Sequence, residues 1–331
     1  MSALWGDTPR AGRVFVALLL AALLAAPFLV DDRLIGVLIL ALYLAYLGQA
    51  WNLLMGFAGQ LSLGHALYVG IGAYVSAALW IHFGAGPWLG VLAAIPIAAL
   101  VGAFVGWLGW RFGDGVIFTL LTVAFAEFAR VGFDHFGFIG ASAGLQLPAS
   151  GAEAQWWNLG GGLMSPYYVA LALAGGATAL VAILRHSRLG YRLLAAREDA
   201  QAARALGIST FRARMMAMLL SSSMTAIGGS FYAFYHRDLL PGEVLGITPS
   251  VELMLAPVIG GVGTIFGPIV GALILSPLGE ALPAVAQRFG LDASASKAVF
   301  YGFLLMIVIW LRPGGVWPWL AAVLQIRSNG R

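Results

Sequence analysis

Cysteine is absent from the 331 residues, and lysine occurs once, at Lys297. Without thiols, the chain can form no disulfide, thiolate nucleophile or cysteine-held metal site. Charge is scarce as well: 10% of residues are Asp, Glu, Lys or Arg, well below the quarter usual in soluble domains. The lone lysine sits in "SASKAV", without the glycines of a GxxxxGK[ST] phosphate loop, so the chain cannot hydrolyse ATP by that route. The five histidines are scattered and form no HExxH-type pair. No convergent nucleophiles, metal ligands or acid and base pairs occur, so the chain reads as a non-enzyme that holds no metal or cofactor of its own. Nothing in it calls for nucleic acid.

What fills the sequence is apolar. Hydrophobic residues make up 61% and the mean hydropathy is +0.90. Runs able to cross about 30 Å of hydrocarbon recur along the chain, which favours helices over a barrel of alternating strands. The expected fold is all-α, one polytopic transmembrane bundle over residues 1–331 with about eight full spans, a broken pair and glycine-rich interrupted helices. Spans are expected near 14–30, 34–56, 62–83, 87–110, 115–132, 166–184, 215–235 and 297–311, with the interrupted pair at 251–283. The first, after Arg10 and Arg13, reads as a retained span rather than a signal peptide, because no small-x-small cleavage site precedes Asp31.

Cations set the orientation, since short cytoplasmic loops are enriched in Lys and Arg. With the N-terminus inside, Arg10, Arg13, Arg111, the seven arginines from Arg185 to Arg214, Arg312, Arg327 and Arg331 are cytoplasmic, 13 of the 18 basic residues. Both termini are then expected in the cytoplasm. The interrupted pair enters and leaves from the outer side.

Two stretches break the apolar pattern with glycine. In "GFAGQLSLGHALYVGIGAYVSAAL", Gly56 to Leu79, the residues Gln60, Ser62 and His65 serve no purpose in a helix that only crosses a bilayer. In "APVIGGVGTIFGPIVGALIL", Ala256 to Leu275, Gly263, Gly267 and Gly271 are spaced by four, and Pro257 and Pro268 stop a helix from running straight through. Such glycines serve tight packing alone, or mark backbone that borders a watery pathway, where broken helices survive at membrane depth. The rhythm of Gly56, Gly59 and Gly64 resembles that of Gly260, Gly263 and Gly267, as an internal repeat would. Gly59 and Gly64 are expected to absorb backbone change in a bend that opens and shuts.

The one long polar stretch, residues 185–214, holds seven arginines against Glu198 and Asp199. Asp199 is placed to N-cap a short helix from Ala200 to Leu206, and Gly207 to end it in a left-handed conformation. So short a helix is marginal alone in water and is expected to dock on something, or the loop lies on anionic headgroups.

The same stretch carries a resemblance. Gln201-Ala202-Ala203-Arg204-Ala205-Leu206-Gly207 is similar to the EAAxxxG motif of ABC importer permeases. The motifs "GQLSLGHALYVGIGAY", "FTLLTVAFAEFAR", "REDAQAARALGIS", "GGVGTIFGPIVGA" and "YGFLLMIVIWLRPGG" resemble, in the same order, those of the branched-chain amino acid permease family of the LivM and LivH type. Departures are Gln201 in place of the motif's Glu, and the unusual "RFGDGVIF" and "GASAGL". The resemblance implies a bacterial inner-membrane subunit that pairs with a sister permease, is driven by two cytoplasmic ATPases holding ATP and Mg, and receives solute from a periplasmic binding protein. It makes Asp199, Gln201, Ala202, Ala203, Leu206 and Gly207 the expected ATPase-coupling residues. Gly59, Gln60, Ser62, Gly64, His65, Thr119, Thr122, Glu127, Gly263 and Gly267 are the expected lining of the translocation pathway.

Glu127 and Arg130 lie three apart on one helix and either belong to that pathway or neutralise each other near the interface. The external loop 133–165, with Trp156 and Trp157, forms an aromatic belt or, with Arg237 to Glu252, the landing surface for the binding protein. Urea, amides and aromatic acids remain alternative cargoes. An ion-coupled secondary transporter is the alternative class, for which deep carboxylates are nearly lacking.

Overall fold

The computed structural model describes residues 10–113, 115–147, 159, 162–288 and 293–323. Glu153, Trp156 and Trp157 of the external loop lie outside them. Helices dominate: α1 (Arg10–Leu29), α2 (Asp32–Asn52) running into a π-helical turn (Leu53–Phe57), α3 (Ala66–Phe83), α4 (Pro87–Phe112) and α5 (Val116–His135). After the short strand β1 (Leu145–Gln146) come α6 (Met164–Arg185), α7 (Arg188–Glu198), α8 (Ala200–Ala205) and α9 (Thr210–His236). Strand β2 (Asp238–Leu239), α10 (Pro241–Val244), α11 (Ile247–Gly260), α12 (Gly267–Arg288), α13 (Ala293–Leu311) and α14 (Val316–Val323) complete the order.

Among the described residues, six helices are long and apolar enough to cross a membrane: Asp32–Phe57, Ala66–Phe83, Pro87–Phe112, Val116–His135, Met164–Arg185 and Pro241–Gly260. A seventh span arises if α13 and α14, bent by 49° between Leu311 and Val316, are taken as one. The eight full spans expected from hydropathy are therefore not all reached by length and composition. The span expected near 215–235 is present as α9, but serines, a threonine and glycines dilute its hydropathy. The expected broken pair is α11 and α12. Its first member reaches span length only when α10 and the bend at Leu245–Gly246 are counted with it, and the apolar part of the second, Gly267–Leu282, is shorter.

Contacts divide the chain into two compact units. The first comprises Met1–Gln49, Tyr167–His186 and Leu255–Arg331, and the second Ala50–Pro166 and Ser187–Met254. In the second, α9 packs along α3 and α4 through small residues. A side chain at Gly72 would collide with the Ala226 carbonyl, and one at Gly229 with the Val69 carbonyl, so α3 and α9 touch backbone to backbone. The Ser76 and Ser230 hydroxyls meet at 2.6 Å between them. On α4, a Cβ on Gly90 would come within 2.7 Å of the Ser76 Cβ and one on Gly102 within 2.5 Å of the Ser222 hydroxyl. With no hydrophobic drive between helices in lipid, close approach and hydroxyl bonds hold them together.

In the first unit, α11 and α12 form a tight hairpin. Gly260 lies against the Gly267 carbonyl and Gly271 against the Ala256 carbonyl. The spacing of four is thus used by Gly267 and Gly271, while Gly263 sits in the turn at φ +77. Pro268 occupies the first turn of α12, where its missing N–H costs nothing.

These contacts set an expectation. Gly72→Ala destabilises the protein by roughly 1–3 kcal/mol through overpacking, and Gly36→Ala, with nothing near its added methyl, is neutral or stabilising by up to about 1 kcal/mol. Thermal unfolding midpoints in detergent check the pair.

Candidate functional site

In the second unit, α2 ends by widening into the π-helical turn. The chain then turns at Gly59, whose φ of +68 favours glycine, and the Gln60 N–H reaches back to the Leu54 carbonyl. Residues 58–65 follow as an irregular segment before α3 begins. Backbone of this kind, in a stretch otherwise fit to cross hydrocarbon, must find partners inside the protein.

It finds them in side chains brought from far along the sequence. Trp51 Nε1 donates to the Ser62 carbonyl at 2.7 Å, Thr119 Oγ1 to the Leu61 carbonyl at 2.9 Å, and the Leu63 N–H to Thr122 Oγ1 at 3.2 Å. The Ala66 N–H, at the start of α3, donates to Ser250 Oγ at 3.1 Å. Gly64 has no room for a side chain, because the Thr122 carbonyl fills the place of its Cβ. Gln60 is buried and accepts from Trp110 Nε1 at 3.0 Å. The Trp110 ring stacks on Phe118 and meets the edge of Phe211.

His65 is fully buried and joins Ser62 to Ser221. Its ring nitrogens lie 2.8 Å from each hydroxyl. The Ser221 hydroxyl donates to the Ala50 carbonyl at 2.6 Å, so its oxygen must accept from His65 Nε2–H. The Ser62 hydroxyl then donates to His65 Nδ1, and the imidazole is neutral.

Gln60, Ser62, Gly64, His65, Thr119 and Thr122, expected along the pathway, therefore come together. Their polar atoms, however, face one another and the backbone, and none of them lines the cavity of about 830 Å³ walled by apolar side chains of α3, α4 and α5, among them Ile71, Val101, Phe104 and Phe125. Glu127 is elsewhere on α5, paired with Arg130 at 2.7 Å, and Arg130 also holds Asp134 at 3.0 Å. Gly246, at φ +103, lies against both Glu127 and Arg130. Gly263 and Gly267 belong to the first unit, in the turn between α11 and α12.

That turn is also held by a distant side chain. Buried Gln49 donates through Nε2 to the Ile265 carbonyl at 2.6 Å and to Thr178 Oγ1 at 3.3 Å, and Gly48 lies against Pro257 and Pro268. The sequence reading missed Gln49. A glutamine in the middle of an apolar run was the available signal.

Trp110 reaches Gln60, and Arg197 of α7 donates to the Gly56 carbonyl. At the other end of the helices, β1 pairs antiparallel with β2, Leu145 opposite Leu239, joining the two segments read as one outer surface. Sequence reasoning did not foresee this pairing of two-residue strands.

The polar stretch 185–214 is built from two capped helices. Ser187 Oγ accepts from the Gly190 N–H at 3.2 Å to start α7, which buries Gly190, Leu193 and Ala196. Asp199 Oδ1 accepts from the Gln201 and Ala202 N–H groups at 2.7 and 3.0 Å to start α8. Gly207 closes it at φ +81, as expected. Ala203 is buried, while Asp199, Gln201, Ala202 and Gly207 are exposed and Leu206 stands 80% exposed. Among the described residues no group of three or more His, Asp or Glu gathers to hold a metal.

Glycine-broken apolar helices around a buried polar seam, with a capped helix on a basic segment, make a multi-pass membrane protein. Residues 33–309 match the family described as branched-chain amino acid transport system / permease component, and the chain belongs to that family. It is 27% identical over 356 residues to the high-affinity branched-chain amino acid transport system permease protein LivM of Escherichia coli, covering 99% of this chain and 80% of that one. LivM of Salmonella typhimurium is 26% identical, with 96% and 77% covered. LivH of Escherichia coli is 30% identical over 42% of each chain. Among solved structures, PsaBC from Streptococcus pneumoniae in complex with Fab shares the fold, with a TM-score of 0.50, 15% identity, and 92% of this chain and 99% of that one covered.

Two outcomes follow. His65→Ala leaves buried Ser62 and Ser221 without their shared partner and lowers stability by about 1–3 kcal/mol, read from the thermal midpoint. The Asp199 carboxyl is held below the usual carboxylate range by the Ala202 and then the Gln201 N–H groups. Its contribution to α8 is thus present above that range and lost as pH falls through the lowered value. Amide protection factors of Gln201 and Ala202 should hold from neutral pH down to about pH 4 and fall below it. Asp199→Ala should remove them at neutral pH.

Proposed function

We propose that the chain is the membrane-spanning permease subunit of an ABC importer for branched-chain and related hydrophobic amino acids. It works in the bacterial cytoplasmic membrane with both termini inside. It pairs with a sister permease and takes solute from an extracytoplasmic binding protein. Two cytoplasmic ATPases, which hold the ATP and Mg, drive solute inward by alternating access.

The observation that carries the reading is α8 in a chain of this family. A six-residue helix capped by Asp199 offers exposed Leu206 at its end, on a segment of seven arginines. An apolar side chain presented on a pre-ordered helix gives a partner a contact to bury. The chain has no phosphate loop of its own, so energy from ATP has to arrive through such a contact. The binding protein does most of the selecting, which suits an apolar cavity better than a tight polar pocket.

Leu206→Glu tests the docking role without touching the buried Ala203. The variant should insert and melt like the wild type, yet lose co-purification with the ATPase subunits and lose leucine uptake by at least about tenfold. Unchanged uptake and co-purification would sink the coupling assignment.

A further inference from the structure

The geometry points to Arg197 as the positioning residue that links the coupling helix α8 to the glycine break at the end of α2, an inference that rests on the importer reading above. Arg197 is in the last turn of α7, two residues before the Asp199 cap of α8. Its guanidinium donates to the Gly56 carbonyl. Its Cβ and Cγ lie against Gly59, where a side chain's Cβ would come within 3.4 and 3.0 Å of them.

The Gly56 carbonyl is available for a chemical reason. In a continuing α-helix it would accept from the Gln60 N–H, but the π-helical turn and the left-handed Gly59 send that N–H to Leu54 instead. Arg197 supplies the missing donor with a charged group, the stronger kind of hydrogen bond. Gly59 is needed twice, for its positive φ and for the space the arginine stem occupies.

A displacement of α8 therefore reaches the break over a very short path. Asp199 fixes the start of α8, the peptide link to Arg197 is short, and Arg197 grips the carbonyl inside the turn. Four residues beyond Gly56, Gln60 begins the buried polar seam through Trp110, and His65 follows. Of the neighbouring arginines, Arg204 turns back on the Ala200 carbonyl instead.

The test uses the assembled complex with its ATPase subunits in lipid nanodiscs, and hydrogen exchange with and without ATP. In the wild type, ATP should change exchange both in α8 and in Leu53–Gln60. In Arg197→Ala, the ATPase subunits should still co-purify and α8 should still respond, but the response in Leu53–Gln60 should vanish. Leucine uptake in cells should fall by about tenfold or more, with ATP hydrolysis retained. Arg197→Lys, which keeps a cationic donor, should recover part of both the response and the uptake. A Leu53–Gln60 response that persists in Arg197→Ala overturns the inference and moves the connection to another route, such as Phe211 to Trp110 to Gln60. Loss of ATPase co-purification in Arg197→Ala also overturns it, by placing the residue in the dock. A wild-type complex with no response in α8 and no leucine uptake would defeat the importer reading itself, a result distinct from either.

Discussion

Backbone amides and carbonyls have no water to turn to inside hydrocarbon, and that constraint governs this chain. A helix satisfies it automatically. A protein that must bend, open or admit a solute cannot stay helical everywhere, so each interruption has to import donors and acceptors from elsewhere in the fold. The segment 58–65 does so with Trp51, Thr119, Thr122 and Ser250, and the turn between α11 and α12 does so with Gln49.

Glycine solves the complementary problem of distance. To lend a hydroxyl to a neighbour's backbone, helices must approach more closely than leucine faces allow. Gly72 and Gly229 bring α3 and α9 into backbone contact, and Ser76 and Ser230 then exchange hydrogen bonds across the join. Within the other unit, Gly260, Gly267 and Gly271 do the same for the α11 and α12 hairpin. Small residues and hydroxyls thus act as one device, the first making the second reachable.

Much of this was legible in the sequence, because hydropathy, glycine spacing and capping residues act locally. The helix ends near Phe57, Phe83 and Phe112, the Asp199 cap and the left-handed Gly207 all follow from residues within a turn or two. The partners of the polar residues were not legible. His65 pairs with Ser221 and Gln49 with Ile265 across more than a hundred positions, and no local pattern encodes which distant hydroxyl or carbonyl is met. For the same reason Gln60, Ser62 and His65 could be recognised as out of place, but whether their polar atoms face a passage or one another depends on the tertiary fold. The two-residue β1 and β2 strands carry no periodicity at all. Their pairing is imposed by the helices that deliver their ends.

The seam's composition bears on how such a protein can move. A break held by charged or apolar contacts alone would be either too costly to open or without direction. One held by hydroxyls, an imidazole and an indole has bonds of modest net worth that exchange for similar bonds in a shifted arrangement. Ser62, Thr119, Thr122 and Ser221 each carry a rotatable hydroxyl able to donate or accept, so a small slide of α5 or α9 can be met by rotation rather than by leaving a polar atom stranded. Arg197 differs from them. It is a charged donor to the backbone of this break, and it comes from the polar segment outside the apolar helices. Its long stem lets it follow the turn while its guanidinium keeps hold, which makes it suited to drive a rearrangement that the hydroxyls of the seam then accommodate.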